Sequence, residues 1–514
     1  MENSWTWVGN WAEKRAELSP ERVALIDDIT GMKYTYNELN KRSDKLCNVL
    51  REKKISKGDR ITVFSKNRIE LIDLFLATSK IGVILVPLNF RLANPEVEYQ
   101  INKTTPKLLI YDTSLNNQVL EIKKEISVKN FIAMGDNPIN NDRQLNSFIT
   151  EADDKFENNQ DLSLDDPHLI LFTGGTTGLP KGAVLSHRLI FWNSVNTITS
   201  WGIRPDDIQP LMFPLFHTGG WNVLFVPFYH MGGTNILMGD FNPERTLEVI
   251  EKFKCSLVIG VPTVFQMIAE SEMFSKANLS SVRVFISGGA PCPLSIMEKY
   301  WKRQKEFKMG YGLTEVGPNN FYLPEKDIKR KPLSVGFPVF HCDMKLVDDE
   351  NNTVSQGSIG ELCLRGPHIF SGYWDDLDET NKTIDSNGWV HTGDLAKKDE
   401  EGFYYIVDRK KDMYISGGEN IFPVEVEEVI YKHPDILEVA VFGIPNEKWG
   451  EVGVAAIATK SGNKISDDEL KQLLEDKLAR YKHPKYFQYY KELPKSAAGK
   501  ILRREVKKSF KNSE

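Results

Sequence analysis

Apolar residues over roughly the first 400 positions fall into two alternating rhythms. Short runs such as Arg60-Ile61-Thr62-Val63-Phe64, Leu108-Leu109-Ile110-Tyr111, Leu257-Val258-Ile259-Gly260 and Val282-Arg283-Val284-Phe285-Ile286 predict buried strands. Between them lie helical patterns. In Tyr36 to Leu50 the residues Leu39, Leu46, Val49 and Leu50 share a face. The most apolar stretch, Leu71 to Leu88, is interrupted by Asp73, Lys80 and Pro87. It therefore predicts a helix (Ile69 to Lys80) and a buried strand (Val83 to Val86), not a membrane span. This alternation predicts an α/β architecture with largely parallel sheets.

From about residue 335 the texture changes to short strands with Gly/Pro/Asn turns: Val335-Gly336-Phe337-Pro338, Met344-Lys345-Leu346-Val347 and Glu361-Leu362-Cys363-Leu364. These predict an antiparallel β subdomain. The last hundred residues predict a small α+β domain, with helix Val424 to Tyr431, strands Val439 to Phe442 and Val454 to Ile457, and helix Asp467 to Leu478.

Length and composition narrow the class. A chain of 514 residues exceeds one core, and 41% hydrophobic with 26% charged residues is ordinary for a soluble protein. A net charge of −6 and a pI near 6.0 disfavour a general nucleic-acid or anionic-membrane binder. Cys47, Cys255, Cys292, Cys342 and Cys363 are dispersed and lack metal-knuckle spacing, which predicts reduced thiols and a cytoplasmic setting. The start is acidic and aromatic, unlike a signal peptide.

The segment Thr173-Gly174-Gly175-Thr176-Thr177-Gly178-Leu179-Pro180-Lys181 carries the strongest chemical signal. Glycines let successive N–H groups face one concavity, and the hydroxyls and lysine add donors for a polyphosphate. It is not a Walker loop, because Pro180 precedes Lys181 and Gly182 follows it. Further along come Phe213-Pro214-Leu215-Phe216-His217-Thr218-Gly219-Gly220, Ser287-Gly288-Gly289-Ala290-Pro291 and Gly310-Tyr311-Gly312-Leu313-Thr314-Glu315. They are followed by His391-Thr392-Gly393-Asp394, Asp408-Arg409-Lys410-Lys411-Asp412, Gly417-Gly418-Glu419-Asn420 and Gly499-Lys500-Ile501-Leu502-Arg503.

In this order the motifs resemble the adenylate-forming superfamily of acyl-CoA synthetases, peptide-synthetase adenylation domains and luciferases, from about Tyr36 to Arg504. The resemblance implies an α/β protein with a large N-terminal domain (1–410) of two αβ subdomains plus a β-barrel-like subdomain. A small, mobile α+β C-terminal domain (411–514) would follow. It implies ATP, Mg²⁺ and coenzyme A as co-substrates and cofactor. Thr173, Gly174, Gly175, Thr176, Thr177, Gly178 and Lys181 would hold the β- and γ-phosphates. Thr314 would contact the α-phosphate, and Glu315 with Thr176 would bind Mg²⁺. Asp394 would accept the ribose hydroxyls, assisted by Arg409. Gly288, Gly289, Ala290, Gly310, Tyr311 and Gly312 would surround the adenine and acyl group. Lys500 would bridge carboxylate and phosphate oxygens, Lys411 would be the hinge, and Gly418 would line the pantetheine tunnel. Asp408 stands where glycine often precedes the arginine.

His217 matches the family histidine near the carboxylate. Trp221, four residues on, would share its face if the segment were helical, and both could border the acyl cavity. Trp221 followed by Val223 to Phe228 resembles the gated tunnel of long-chain fatty acyl-CoA synthetases; packing is the plain alternative. The sequence reading is thus an acid–CoA ligase acting on a medium- or long-chain fatty acid. An aryl or other carboxylic acid–CoA ligase and a stand-alone adenylation enzyme loading a carrier protein are its alternatives. The expected partners are small-molecule carboxylates and CoA, with a homodimer compatible and no nucleic acid.

Overall fold

The computed structural model describes residues 6–158, 161–174, 179–475, 477–496 and 499–510. A six-stranded sheet runs in the order Phe131–Met134, Leu108–Asp112, Arg60–Phe64, Ile84–Leu88, Pro167–Thr173, Lys181–Ser186. Its pairs are parallel except the last, which is antiparallel. A second sheet orders Lys33–Thr35, Val23–Asp27, Thr234–Leu237 and Ile208–Leu211, and a third, all-parallel one orders Leu257–Gly260, Val284–Ser287 and Glu306–Met309.

Helices cover these sheets for identifiable reasons. Tyr36–Glu52 starts at a capping box: Thr35 Oγ1 accepts the Glu38 N–H at 3.1 Å, while Glu38 Oε2 accepts the Thr35 N–H at 2.7 Å. It buries Leu39, Leu46, Val49 and Leu50, the face read from the sequence. Leu46→Ala is expected to cost about 2–5 kcal/mol of stability, measured as a lower denaturant midpoint. Helix Ile69–Ile81 is buried on every side and stops at Gly82, whose φ of 67° suits a glycine C-cap. Its charges survive burial because each is paired: Asp73 with Arg42 at 2.5 Å and Lys80 with Asp44 at 2.5 Å. Among the described residues no helix is long and apolar enough to cross a membrane.

The β subdomain is an open antiparallel sheet of Asp343–Val347, Ile359–Arg365, Val390–Lys398 and Tyr404–Arg409, not a closed barrel. These four strands pair in simple sequence order and the outer two do not meet, so the barrel-like expectation gives way to a sheet. The C-terminal sheet is built on the hairpin Ile436–Asn446 and Gly450–Thr459, with Tyr414–Ser416, Glu419–Ile421 and Tyr486–Tyr490 added. Helix Pro423–Ile430 packs on it, opened by proline at its first position. The chain passes between the two sheets across residues 410–413.

Candidate active site

Register places the first cluster. Asp394 and Arg409 are direct cross-strand partners in the antiparallel sheet, so their side chains meet, with Arg409 Nε 3.0 Å from Asp394 Oδ1. The other carboxylate oxygen accepts from the Tyr311 hydroxyl at 2.6 Å. Asp394 is almost wholly buried and its N–H donates to Thr392 Oγ1 at 3.1 Å. Two oriented acceptor oxygens with a guanidinium beside them suit a vicinal diol. Tyr311 also meets Phe321 edge-on, at 5.6 Å between ring centroids.

The second cluster joins residues distant in sequence. Glu315 Oε1 accepts from Thr173 Oγ1 at 3.1 Å and from the Tyr373 hydroxyl at 3.0 Å, while Thr314 beside it is buried. Two hydroxyls thus fix a hard-oxygen ligand at the start of the phosphate segment. No group of three metal-ligating side chains exists among the described residues. One oriented carboxylate still fits Mg²⁺, which takes its remaining oxygens from phosphates and water. Lys181 pairs with Glu379 and lies 5.4 Å from the Tyr373 ring centroid. Glu379 is held below the ordinary carboxylate range by that hydrogen bond. Tyr373 and Glu379 escaped the sequence reading, although both fall in the segment Gly372-Tyr373-Trp374 to Glu379. Gly174 has open space where a Cβ would stand. Gly175, Thr176, Thr177 and Gly178 lie outside the described residues, and with them the expected Thr176 metal contact.

The glycines separate into two kinds. At the end of strand Val284–Ser287, a Cβ on Gly288 or on Gly289 would meet only ordinary contacts, at 3.7 and 3.6 Å, so close packing does not demand a glycine at either. Gly289 needs its φ of 81°. Ala290 follows them, and Gly310 binds back through its N–H to Ser287 O at 2.7 Å. Gly312 is different. A Cβ there would lie 2.3 Å from Pro318 backbone atoms, so its lack of a side chain serves packing.

His217 is drawn down to about 4 by burial and then by Lys500. Its Nδ1 accepts the Gly219 N–H at 3.0 Å, which leaves Nε2 as the protonated, donating nitrogen. Lys500 faces the same region. Desolvation in the cleft and then Arg409 draw its ammonium down to about 8. The residue keeps contact with solvent, so water screens part of this effect and the downward direction carries the argument.

Trp221 does not share a cavity face with His217. Residues Gly219–Val223 form a wide π-helical turn that begins after His217. Trp221 is completely buried, stacked on Phe75 at 4.7 Å and 12° and meeting Phe225 at 5.7 Å. The geometry is that of packing. Gly418 sits with Gly417 at the tip of the hairpin Tyr414–Ser416/Glu419–Ile421, both at positive φ, with nothing within 4 Å of its Cβ position. In this arrangement it stands at an exposed turn. Lys411 is exposed in the passage between sheets.

A cavity of about 440 Å³ opens between the N-terminal domain and the loop carrying Gly499, lined by Phe213, Pro214, Gly260, Val261 and Thr263 among others. The fold and these clusters define an enzyme that handles a nucleotide and activates a carboxylate. Residues 12–374 match the family described as AMP-binding enzyme, and residues 425–500 the AMP-binding enzyme C-terminal domain. The chain is 36% identical over 505 residues to a feruloyl-CoA synthase of an Amycolatopsis species, covering 98% of this chain and 99% of the relative. It is 31% identical over 500 residues to an indoleacetate–CoA ligase of Aromatoleum aromaticum, covering 97% of each. The o-succinylbenzoate CoA synthetase of Bacillus subtilis, solved with its acyl-adenylate intermediate, superposes with a TM-score of 0.86 at 29% identity, covering 98% of each chain.

The chain belongs to the AMP-binding enzyme family. It is an AMP-forming acid–thiol ligase that uses ATP and CoA.

Proposed function

We propose that the enzyme couples an aromatic carboxylic acid to CoA through an aryl-acyl adenylate. The observation that carries this is likeness along nearly the whole chain to ligases named for ferulate and indoleacetate. The full burial of Trp221 against Phe75 fits the packing role weighed for it. The fatty-acid reading loses its main residue there. The five buried free thiols suit a cytoplasmic setting.

In the first half-reaction a carboxylate oxygen attacks the α-phosphorus, a P–O bond breaks, and pyrophosphate leaves. Asp394, Tyr311 and Arg409 hold the ribose, and Lys181 the polyphosphate. His217 Nε2–H donates to a carboxylate oxygen. Lys500 offsets the negative charge gathered between carboxylate and phosphate, where a preorganised cation is most effective. When bound at Glu315, Mg²⁺ supplies further neutralisation of phosphate charge. In the second half-reaction the thiol sulfur forms a bond to the acyl carbon, the bond to AMP oxygen breaks, and the thiol proton is lost. Lys500 must leave first, by rotation about Lys411, which brings Gly418 toward the acyl group.

Gly418→Leu is expected to slow thioester formation from supplied acyl-AMP by at least about tenfold with adenylation retained, read in separate half-reaction assays. Gly418→Ala carries the same backbone strain without the bulk. Equal effects of the two would assign the loss to the hairpin turn instead of a tunnel. The deciding assay measures AMP and thioester production with ATP, Mg²⁺ and CoA over hydroxycinnamic, indolic, benzoic and C2–C18 fatty acids. A peak on the ring acids is expected, and a peak on long chains would return the fatty-acid reading.

A further inference from the structure

The segment bearing Lys500 meets the N-terminal domain at a defined point. Thr263 Oγ1 donates to the Gly499 carbonyl oxygen at 3.0 Å. Gly499 has a φ of 80°, and a Cβ there would stand 3.0 Å from Thr263 Oγ1 and 3.2 Å from Val261 Cγ2. The approach is one that only a backbone without a side chain makes comfortably. A second contact lies on the opposite flank. Glu428, on helix Pro423–Ile430, lies close to the backbone N–H of Leu294, the first residue of helix Leu294–Lys302 in the N-terminal domain, and burial there pushes its carboxyl up to about 7. The N-cap residue of that helix, Pro293, offers no side-chain cap. A carboxyl group from the other domain thus faces an uncapped helix start, a place that favours its ionised form.

We propose that Thr263 and Glu428 are positioning residues that dock the C-terminal domain with Lys500 in the adenylating site, and that both contacts break when the domain rotates for thioester formation. Neither touches the reacting atoms; they act through the placement of Lys500. The inference rests on the adenylating role proposed for Lys500.

The full-length enzyme tests it in two separate assays: pyrophosphate release with acid and ATP, and thioester formation from supplied acyl-AMP and CoA. Thr263→Val and Glu428→Ala are each expected to lower the adenylation kcat by about 5- to 10-fold, the scale of one lost hydrogen bond or cap. KM for ATP and acid should stay within about twofold, and the thioester step should be unchanged or faster. Thr263→Ser keeps the hydroxyl and should retain adenylation, which separates docking from packing. The native thiols are buried, so dyes on Lys302→Cys and Lys471→Cys, both exposed positions, report domain orientation by energy transfer. The two variants should shift that signal. Equal losses in both half-reactions with an unchanged signal, or no loss in either, would overturn the proposal. Lys500→Ala runs alongside: if it still forms acyl-AMP, the role of Lys500 fails. If it does not, while Thr263→Val and Glu428→Ala behave as wild type, only the docking inference fails.

Discussion

Replacing Lys500 by alanine is expected to lower acyl-AMP formation by about 10²–10³-fold while leaving thioester formation from supplied acyl-AMP nearly intact. The asymmetry follows from position. Lys500 is close enough to His217 to depress its basicity, and it feels Arg409 and Asp394 directly. On the proposed mechanism, those are the surroundings of the first half-reaction. The same crowding draws the ammonium below its ordinary value, an effect that water at this exposed side chain partly screens. Below the lowered pKa the lysine is charged and, on its proposed role, adenylation is expected to be fully supported. Above it, adenylation should fall by about tenfold per pH unit as the charge is lost, with no matching decline in the thioester step. Pre-steady-state pyrophosphate release from pH 7 to 10 measures this directly. Parallel decline of both half-reactions would place the titrating group elsewhere.

Mild acid is expected to unfold the protein well before its carboxylates are all protonated. His187, His217, His230 and His368 are each held down to about 4, with desolvation as the largest cause, and burial lowers His168 well below its ordinary value too. In the unfolded chain these groups titrate near 6.5, so between about pH 6.5 and 4 the unfolded state binds more protons. Stability is therefore complete above 6.5 and is lost as pH falls through this window. Each histidine removes on the order of 1–3 kcal/mol. Against a total of about 5–15 kcal/mol, several together suffice. His187 makes the clearest probe. It stacks on His168 at 5.0 Å and 7°, and neither of its ring nitrogens has a hydrogen-bond partner. His187→Phe should keep the stack, remove one titration, and move the acid midpoint in circular dichroism to lower pH. An unmoved midpoint would transfer the acid sensitivity to the ion pairs.

Much of this architecture is legible in the chain because its elements follow simple periodicities. Tyr36–Glu52 and Ile69–Ile81 appear where apolar spacing puts them. The pairing of Asp394 with Arg409 is another matter: the two motifs are visible in sequence, but only strand register makes them neighbours. Tyr373 and Glu379 were missed for the same reason. Their partners Glu315 and Lys181 are 58 and 198 residues away, and nothing local marks a tyrosine or a glutamate as one end of such a bond. The helical argument linking His217 to Trp221 fails on a local detail. A Cβ on Gly220 would lie 2.5 Å from Pro214 O, so the chain folds back tightly where a regular helix would have continued. Two adjacent glycines were the available warning.

The ion pair between Lys181 and Glu379 gives the phosphate segment a resident competitor. An anion arriving there meets no bare cation; it has to displace a carboxylate already in place, so its gain is the difference between two partners. A singly charged species such as acetate or bicarbonate offers Lys181 little that Glu379 does not. A triphosphate brings several charges and its own metal, and is expected to displace the carboxylate. On the proposed role of Lys181, the pair would therefore act as a threshold on charge, one that a triphosphate passes and a small anion does not.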